Sequence, residues 1–236
     1  MAQCSLERHG RVFALKLLGN NEHWFTPSFF AEILSALKTV QDSDAGALVT
    51  TSEGKFFSNG LHLEWMKEDL EARVPVLVRG LEQVTLALLK LNVPSIASVC
   101  GHAAGGGLLF AMAHDHCCMR RDRGFLYCSA VDINFVIPPG SIALLKSKMT
   151  PKAFKNVVLS GVKFTAPMAL DAGIIDSHHA DANETFEAAL KLATGLAERG
   201  WERAAYQALR LAMYSDVIEK LESNADSELI GFVNDS

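Results

Sequence analysis

The sequence predicts an α/β fold whose later part is helical. Two observations carry the first half of that expectation. Short apolar runs at Arg11–Leu17, Ala47–Thr51 and Pro94–Cys100 have the length of buried strands. Segments of helical periodicity separate them, one opening at Thr26 and one running from about Leu70 to Leu91. Strand, helix, strand in that order implies parallel neighbours joined by crossovers. The third observation is a shift in composition near residue 140, beyond which the pattern is mostly helical. The expected organisation is therefore a βα-rich core over 1–140 and a helical region over 141–236, together forming one structural unit.

Bulk properties narrow the class. The chain has 236 residues, 49% of them hydrophobic, and a formal charge of −5. That composition supports a full core, and no run of Lys or Arg offers a footprint for nucleic acid or an anionic membrane. No apolar stretch reaches the ~18 residues of a membrane span, and the opening Met1-Ala2-Gln3-Cys4 does not read as a signal peptide. Five cysteines, an odd number without scaffold spacing, fit free thiols in a reducing compartment. The expectation is a soluble intracellular protein.

In order along the chain, Gly19-Asn20-Asn21 ends the first strand. Thr26-Pro27 is a helix start, an N-cap with proline at the first helical position. Phe29, Phe30, Ile33, Leu34, Leu37 and Val40 then form its buried face, and Asp42-Ser43-Asp44 closes it. Ala47–Thr51 leads into the loop Ser52-Glu53-Gly54-Lys55. After the long helix, Val74, Leu77, Val78, Leu81, Val84, Leu88 and Leu89 marking its apolar stripe, the chain enters Pro94–Cys100. The glycine run Gly101-His102-Ala103-Ala104-Gly105-Gly106-Gly107 follows, and Leu108–Ala113 reads as a buried helix.

A strand, a glycine turn and a helix N-terminus expose unpaired amides at the positive end of the helix. Such a place suits an anion or a developing oxyanion. The same glycines would equally let the helix pack closely on its sheet, and the run by itself does not choose between the two.

His114-Asp115-His116-Cys117-Cys118 invites a zinc site, but its spacing fits no ligand pattern, and neighbouring strand residues face opposite ways. Packing thiols, a surface histidine and no metal are expected. Phe125–Cys128 is a further strand, and Ser129–Pro139 a loop or short strand. Helices follow at Ser141–Lys148, Pro151–Leu159 and Ala166–Ala172. A short strand at Ile174-Ile175 and two longer helices, Glu184–Arg199 and Trp201–Leu221, complete the ordered pattern. The tail, Glu222–Ser236, is polar with one apolar patch at Leu229–Val233.

Taken together, Gly54-Lys55-Phe56-Phe57-Ser58-Asn59-Gly60-Leu61-His62-Leu63 and Gly101–Gly107 resemble the crotonase (enoyl-CoA hydratase/isomerase) superfamily. Ala113-His114-Asp115, Leu159–Ala166 and Ala169–Asp176 match in the same order, so the likeness covers nearly the whole chain. The short length, Met119–Tyr127 and the abbreviated tail look most like the plant peroxisomal Δ3,Δ2-enoyl-CoA isomerases. This resemblance implies a crotonase-type ββα spiral with a helical C-terminal region, assembled as a homotrimer or hexamer. It also implies an acyl-CoA thioester as substrate, with no separate cofactor because CoA is part of the substrate.

By the same resemblance the oxyanion hole consists of the amides of Leu61 and Gly106, and Ser58, Asn59, Gly60 and His62 bind the CoA portion. Ser129, Ala130 and Asn134 are further substrate-binding candidates, Asn134 able to hydrogen-bond a substrate but not to act as a base. A peroxisomal location is implied, otherwise a cytoplasmic one, although the chain ends in Asn234-Asp235-Ser236 rather than in Ser-Lys-Leu.

Two departures bear on mechanism. The family's glutamate positions fall at Leu109 and Ala130, which cannot move a proton. Asp132 is the nearest carboxylate and the candidate base, or else a solvent-facing cap. His62 lies beside an oxyanion donor and is expected to contact the CoA or the loop, and His102 is expected to be structural. The function implied is Δ3,Δ2-enoyl-CoA isomerase-like chemistry through a thioester enolate. The alternatives are a redirected hydratase, lyase or cyclase reaction, or acyl-CoA binding without catalysis.

Overall fold

The computed structural model describes residues 2–18, 22–223 and 231–233. The expected strand end at Gly19-Asn20-Asn21, most of the tail and the terminal Asn234-Asp235-Ser236 lie outside the described residues. A six-stranded sheet runs in the order β1 (Cys4–His9), β2 (Val12–Leu17), β3 (Ala47–Ser52), β5 (Ser95–Val99), β7 (His116–Arg120), β10 (Ser177–His179). All its neighbours are parallel except the β1–β2 hairpin. A second sheet of three parallel strands is made of β4 (Phe56–Ser58), β6 (His102–Ala104) and β8 (Leu126–Tyr127).

The two sheets advance together. Each turn of chain gives one strand to the large sheet and the next to the small one: β3 then β4, β5 then β6, β7 then β8. Helices α2 (Leu63–Lys67) and α3 (Leu70–Leu89) close the first turn, and α4 (Gly106–Met112) closes the second. This is the expected ββα spiral. Between them, α1 (Pro27–Asp42) makes the crossover from β2 to β3 and is capped by Thr26, whose hydroxyl accepts from the Phe29 amide at 3.3 Å. Its buried face holds Phe29, Phe30, Ile33, Leu37 and Val40.

Several local expectations change. The apolar run before the glycines does not pass straight into a helix. It ends at Val99, turns at Cys100-Gly101, adds β6 to the small sheet, and only then starts α4. The strand expected at Ile174-Ile175 begins three residues later, because both isoleucines are buried as core side chains before β10 pairs with β7. The single helix expected over Trp201–Leu221 is two, α9 (Arg203–Met213) and α10 (Ser215–Ser223). They divide at Tyr214, which is buried under the Lys148 ammonium at 4.6 Å from its ring centre. The remaining helices are α5 (Pro139–Lys148), α6 (Pro151–Ser160), α7 (Ala166–Asp171) and α8 (Ala182–Glu198). Two short strands, β9 (Phe135–Val136) and β11 (Gly231–Phe232), pair antiparallel.

Buried polar groups fasten the helical region to the spiral. Arg210 is 4% exposed and donates to the carbonyls of Leu91 and Val93, to Ser95 and, at 2.6 Å, to Asp115. A buried guanidinium is tolerated only where such partners replace water. Beside it, His114 bonds the Phe110 carbonyl and the Thr50 hydroxyl, and burial pushes its pKa down to about 4. The His114–Cys118 stretch is therefore structural. Cys117 and Cys118 pack in the interior as expected, and of the two histidines His114 is buried and His116 partly exposed. Among the described residues no cluster of His, Cys, Asp or Glu could hold a metal ion, and no helix is long and apolar enough to cross a membrane.

Candidate functional site

The site arises where the small sheet meets the start of α4. Three glycines let two stretches of backbone nearly touch. A Cβ added at Gly107 would lie 2.1 Å from the Ser58 carbonyl oxygen, and one at Gly60 would lie 2.7 Å from both the Ala104 oxygen and the Gly106 nitrogen. At Gly101 the corresponding distance to the Lys55 oxygen is 2.4 Å. Side chains do not fit in such gaps, and Gly60 also has φ of +82°.

Hydrogen bonding then decides where the amides point. Phe25 and Leu61 form a parallel bridge in which Phe25 bonds Gly60 and His62, through Phe25 N to Gly60 O at 2.7 Å and His62 N to Phe25 O at 3.2 Å. In that pattern the N–H of the intervening Leu61 faces the other way, toward Gly106. Gly105, with φ of +51°, is the N-cap of α4, so the Gly106 amide is one of the helix's unpaired first donors. Among the described residues neither the Leu61 nor the Gly106 amide donates to the protein. Two free donors thus lie on one cavity wall.

The cavity beside them has a volume of about 130 Å³. Its walls are mostly apolar: Val78 and Leu81 of α3, Leu109 of α4, and Ile133, Phe135, Ile137 and Pro138 from the segment after β8. Trp24, Asn59, Tyr127, Cys128, Ser129, Ala130 and Ser141 complete it. No residue in this lining carries a charge at neutral pH. Burial pushes the Tyr127 phenol up, helped by Glu22, and burial also pushes the Cys128 thiol up, so both stay protonated. A dry, apolar wall around two amide dipoles strengthens their effect on any oxygen placed between them.

Of the residues singled out in the sequence, Leu61, Gly106, Asn59, Ser129 and Ala130 meet at this cavity. Leu109 and Ala130, the two positions without an acid, both face it. The others do not line it. Ser58 is fully buried, donating to the His23 carbonyl and accepting from the Gly60 amide, so it shapes the turn. Gly60 serves by its backbone alone. His62 caps α2, its Nδ1 accepting from the Trp65 amide at 3.3 Å, and its ring stacks on Trp24.

Asp132 does not line the cavity and faces solvent, the second of the two places expected for it. It sits in the one-turn 3₁₀ helix Val131–Ile133, which directs Ala130 and Ile133 inward and Asp132 outward. Its carboxylate rests over Gly161, the left-handed C-cap of α6, with Oδ2 3.0 Å from where a Cβ would stand. Asn134 is likewise exposed, in left-handed backbone, and its carbonyl accepts from the Val233 amide. His102 lies outside the cavity between the rings of Phe56 and Phe125, its pKa lowered first by burial and then by Lys55, Arg123 and Lys163.

In the sequence Val78 and Leu81 read as core, which their burial bears out although they also line the cavity, and Trp24 and Phe135 carry no signal. The helical stripe on α3 was the one available hint, since a stripe can line a cavity as readily as a core.

A model of the enoyl-CoA hydratase/isomerase family matches residues 12–233. Enoyl-CoA delta isomerase 1, peroxisomal, of Arabidopsis thaliana is 37% identical over 219 residues, covering 91% of this chain and 91% of its own. Enoyl-CoA delta isomerase 2, peroxisomal, of the same plant is 39% identical over 223 residues, covering 91% and 93%. Among solved structures, an enoyl-CoA hydratase from Mycobacterium ulcerans superposes with a TM-score of 0.87 at 20% identity, over 94% of this chain and 96% of that one. This last likeness concerns the fold.

The glycine contacts predict a graded response to alanine. A Cβ on Gly106 meets Leu81 at 3.2 Å and the Leu61 nitrogen at 3.4 Å, a fit that a small shift of one side chain relieves. One on Gly107 meets rigid backbone. Gly107→Ala should lower unfolding free energy by about 1–3 kcal/mol or more, and Gly106→Ala by clearly less. Denaturant titration of the two variants checks this; equal losses would contradict the close approach.

Proposed function

The chain belongs to the enoyl-CoA hydratase/isomerase family, and from that membership we propose that it is an enoyl-CoA isomerase-like enzyme acting on an acyl-CoA thioester through its enolate. The observation that supports this reading is the pair of free amides at Leu61 and Gly106 facing an uncharged, largely apolar cavity. The thioester oxygen accepts from both N–H groups. When a proton leaves C2, the electron pair moves onto that oxygen, and the same two donors hold the charge. One donor of this kind is typically worth about 10²–10³-fold in rate. Isomerisation is completed when C4 receives a proton, which moves the double bond from the 3- to the 2-position. The reaction takes no cofactor beyond the CoA of the substrate.

Proton transfer is the weak step. Ala130 stands where the family's base is expected, and among the described residues the cavity lining holds no carboxylate. That observation favours a second reading, acyl-CoA binding without turnover or with a reaction that needs no protein base. Incubation with a 3-enoyl-CoA, followed by the absorbance of the conjugated product, separates the two. We expect slow isomerisation that Ala130→Glu raises by ~10²–10⁴-fold, the usual worth of a positioned general base, and no change with Asp132→Asn. Fast turnover abolished by Asp132→Asn would instead make Asp132 the base, and failure to bind any enoyl-CoA would end the reading.

Assembly and location follow from the same membership. Helix α9 leaves Leu209 74% and Met213 68% exposed, next to Ala205, Ala208 and Ala212 on its surface. We assign that face to contacts between copies in a trimer or hexamer, and a monomeric mass by light scattering at micromolar concentration would refute it. Two relatives are named peroxisomal, and a peroxisomal location is proposed here too. A fluorescent protein fused ahead of the full-length product should mark peroxisomes; diffuse cytosolic signal would contradict it.

A further inference from the structure

The far wall of the cavity is held from outside by a strand that does not line it. Leu81, Val78 and Val74 lie on one stripe of α3, at spacings of three and four residues. Leu81 stands beside the oxyanion donors, within 3.2 Å of a Cβ placed on Gly106, and Val78 lines the cavity next along. Val74 is about one helical turn, roughly 5 Å, further on. There Gly231 of β11 rests against it, with the Val74 Cγ1 3.3 Å from where a Gly231 Cβ would stand. A chain that starts at the Leu61 and Gly106 amides and runs along α3 therefore heads toward β11.

Between the cavity and β11 stands Phe135. It lines the cavity, and its backbone pairs with Phe232 of β11 in an antiparallel bridge. The Val233 amide adds a bond to the Asn134 carbonyl at 2.9 Å. The two phenylalanine rings meet edge to face, 5.2 Å apart at 80°. Phe135 also bonds the Ala130 carbonyl through its amide and packs against the core. Ring and backbone contacts from β11 add to these in keeping the side chain in the wall.

We propose that Phe232 is a positioning residue for substrate specificity: by holding Phe135 in the cavity wall, it limits the length of acyl chain that the site accepts. The inference rests on the acyl-CoA reading above and adds which substrates that site prefers. Loss of the Phe232 ring frees Phe135 to turn outward, which opens the end of the cavity while leaving the Leu61 and Gly106 amides in place. The change falls on long chains alone.

The test is calorimetric titration of the full chain with saturated hexanoyl-, octanoyl-, decanoyl- and dodecanoyl-CoA, which bind without reacting. Wild type should favour the shorter chains. In Phe232→Ala the affinity ratio of dodecanoyl- to hexanoyl-CoA should rise by up to about tenfold, the scale of one lost aromatic pair, with hexanoyl-CoA unchanged. Phe232→Tyr should restore the wild-type ratio, and Phe135→Ala should raise it as Phe232→Ala does, so the expectation survives if one variant folds poorly. An unchanged ratio in folded Phe232→Ala, whatever Phe135→Ala does, or an equal change at every length, overturns the inference while leaving acyl-CoA binding intact. Wild-type protein that binds no acyl-CoA of any length overturns the functional reading and this inference with it.

Discussion

The structure depends on one close approach of backbone to backbone, between Ser58–Leu61 and Ala104–Gly107. Contacts that would put a Cβ within 2.1–2.7 Å of main-chain atoms exclude every side chain at Gly60 and Gly107. What the chain gains is geometric. The small sheet can end against the first turn of α4, and two amides from segments far apart in sequence come to lie side by side. Neither has a partner within the protein among the described residues. An unpaired amide at a site dry enough to matter is costly unless something else accepts from it. A carbonyl oxygen that becomes negative during a reaction is the partner that would benefit most.

The rest of the cavity is built to keep that partner uncharged until the reaction. Leu109 and Ala130 stand where acids are expected by resemblance, and the two titratable side chains in the lining, Tyr127 and Cys128, are held protonated by burial. The carboxylate of Asp132, nearest in sequence, is held on the far side of its own 3₁₀ turn against Gly161.

How much of this was legible in the sequence follows from how local each feature is. The helix at Thr26-Pro27 carries its own cap and its own buried stripe, and its observed start agrees with both. The parallel core was readable because β2, β3 and β5 are continuous apolar runs. β1 was not: Cys4–His9 is an edge strand, half-buried at one end and exposed at the other, and has neither alternation nor an apolar run. β6, β9 and β11 have two or three residues each, too few to show a period. Where Asp132 points is set by the dihedral angles of residues 130–134, above all the left-handed Asn134, and residue identities alone do not fix those. The pairing of Leu61 with Gly106 was accessible through the resemblance alone, since the glycine run by itself left close packing and anion binding equally open. The far wall around Phe135 depends on a pairing almost a hundred residues away in sequence, so no local pattern could announce it.

If the proposed reading holds, the Leu61 and Gly106 amides polarise a bound thioester carbonyl. Infrared difference spectroscopy of an acyl-CoA carrying an isotope label at that carbonyl, free and bound, reads this directly. The account predicts that the stretch moves to lower frequency on binding, and that Gly106→Val, which crowds the Leu61 nitrogen, removes the shift or the binding itself. A bound thioester whose carbonyl vibrates at its solution frequency would contradict it.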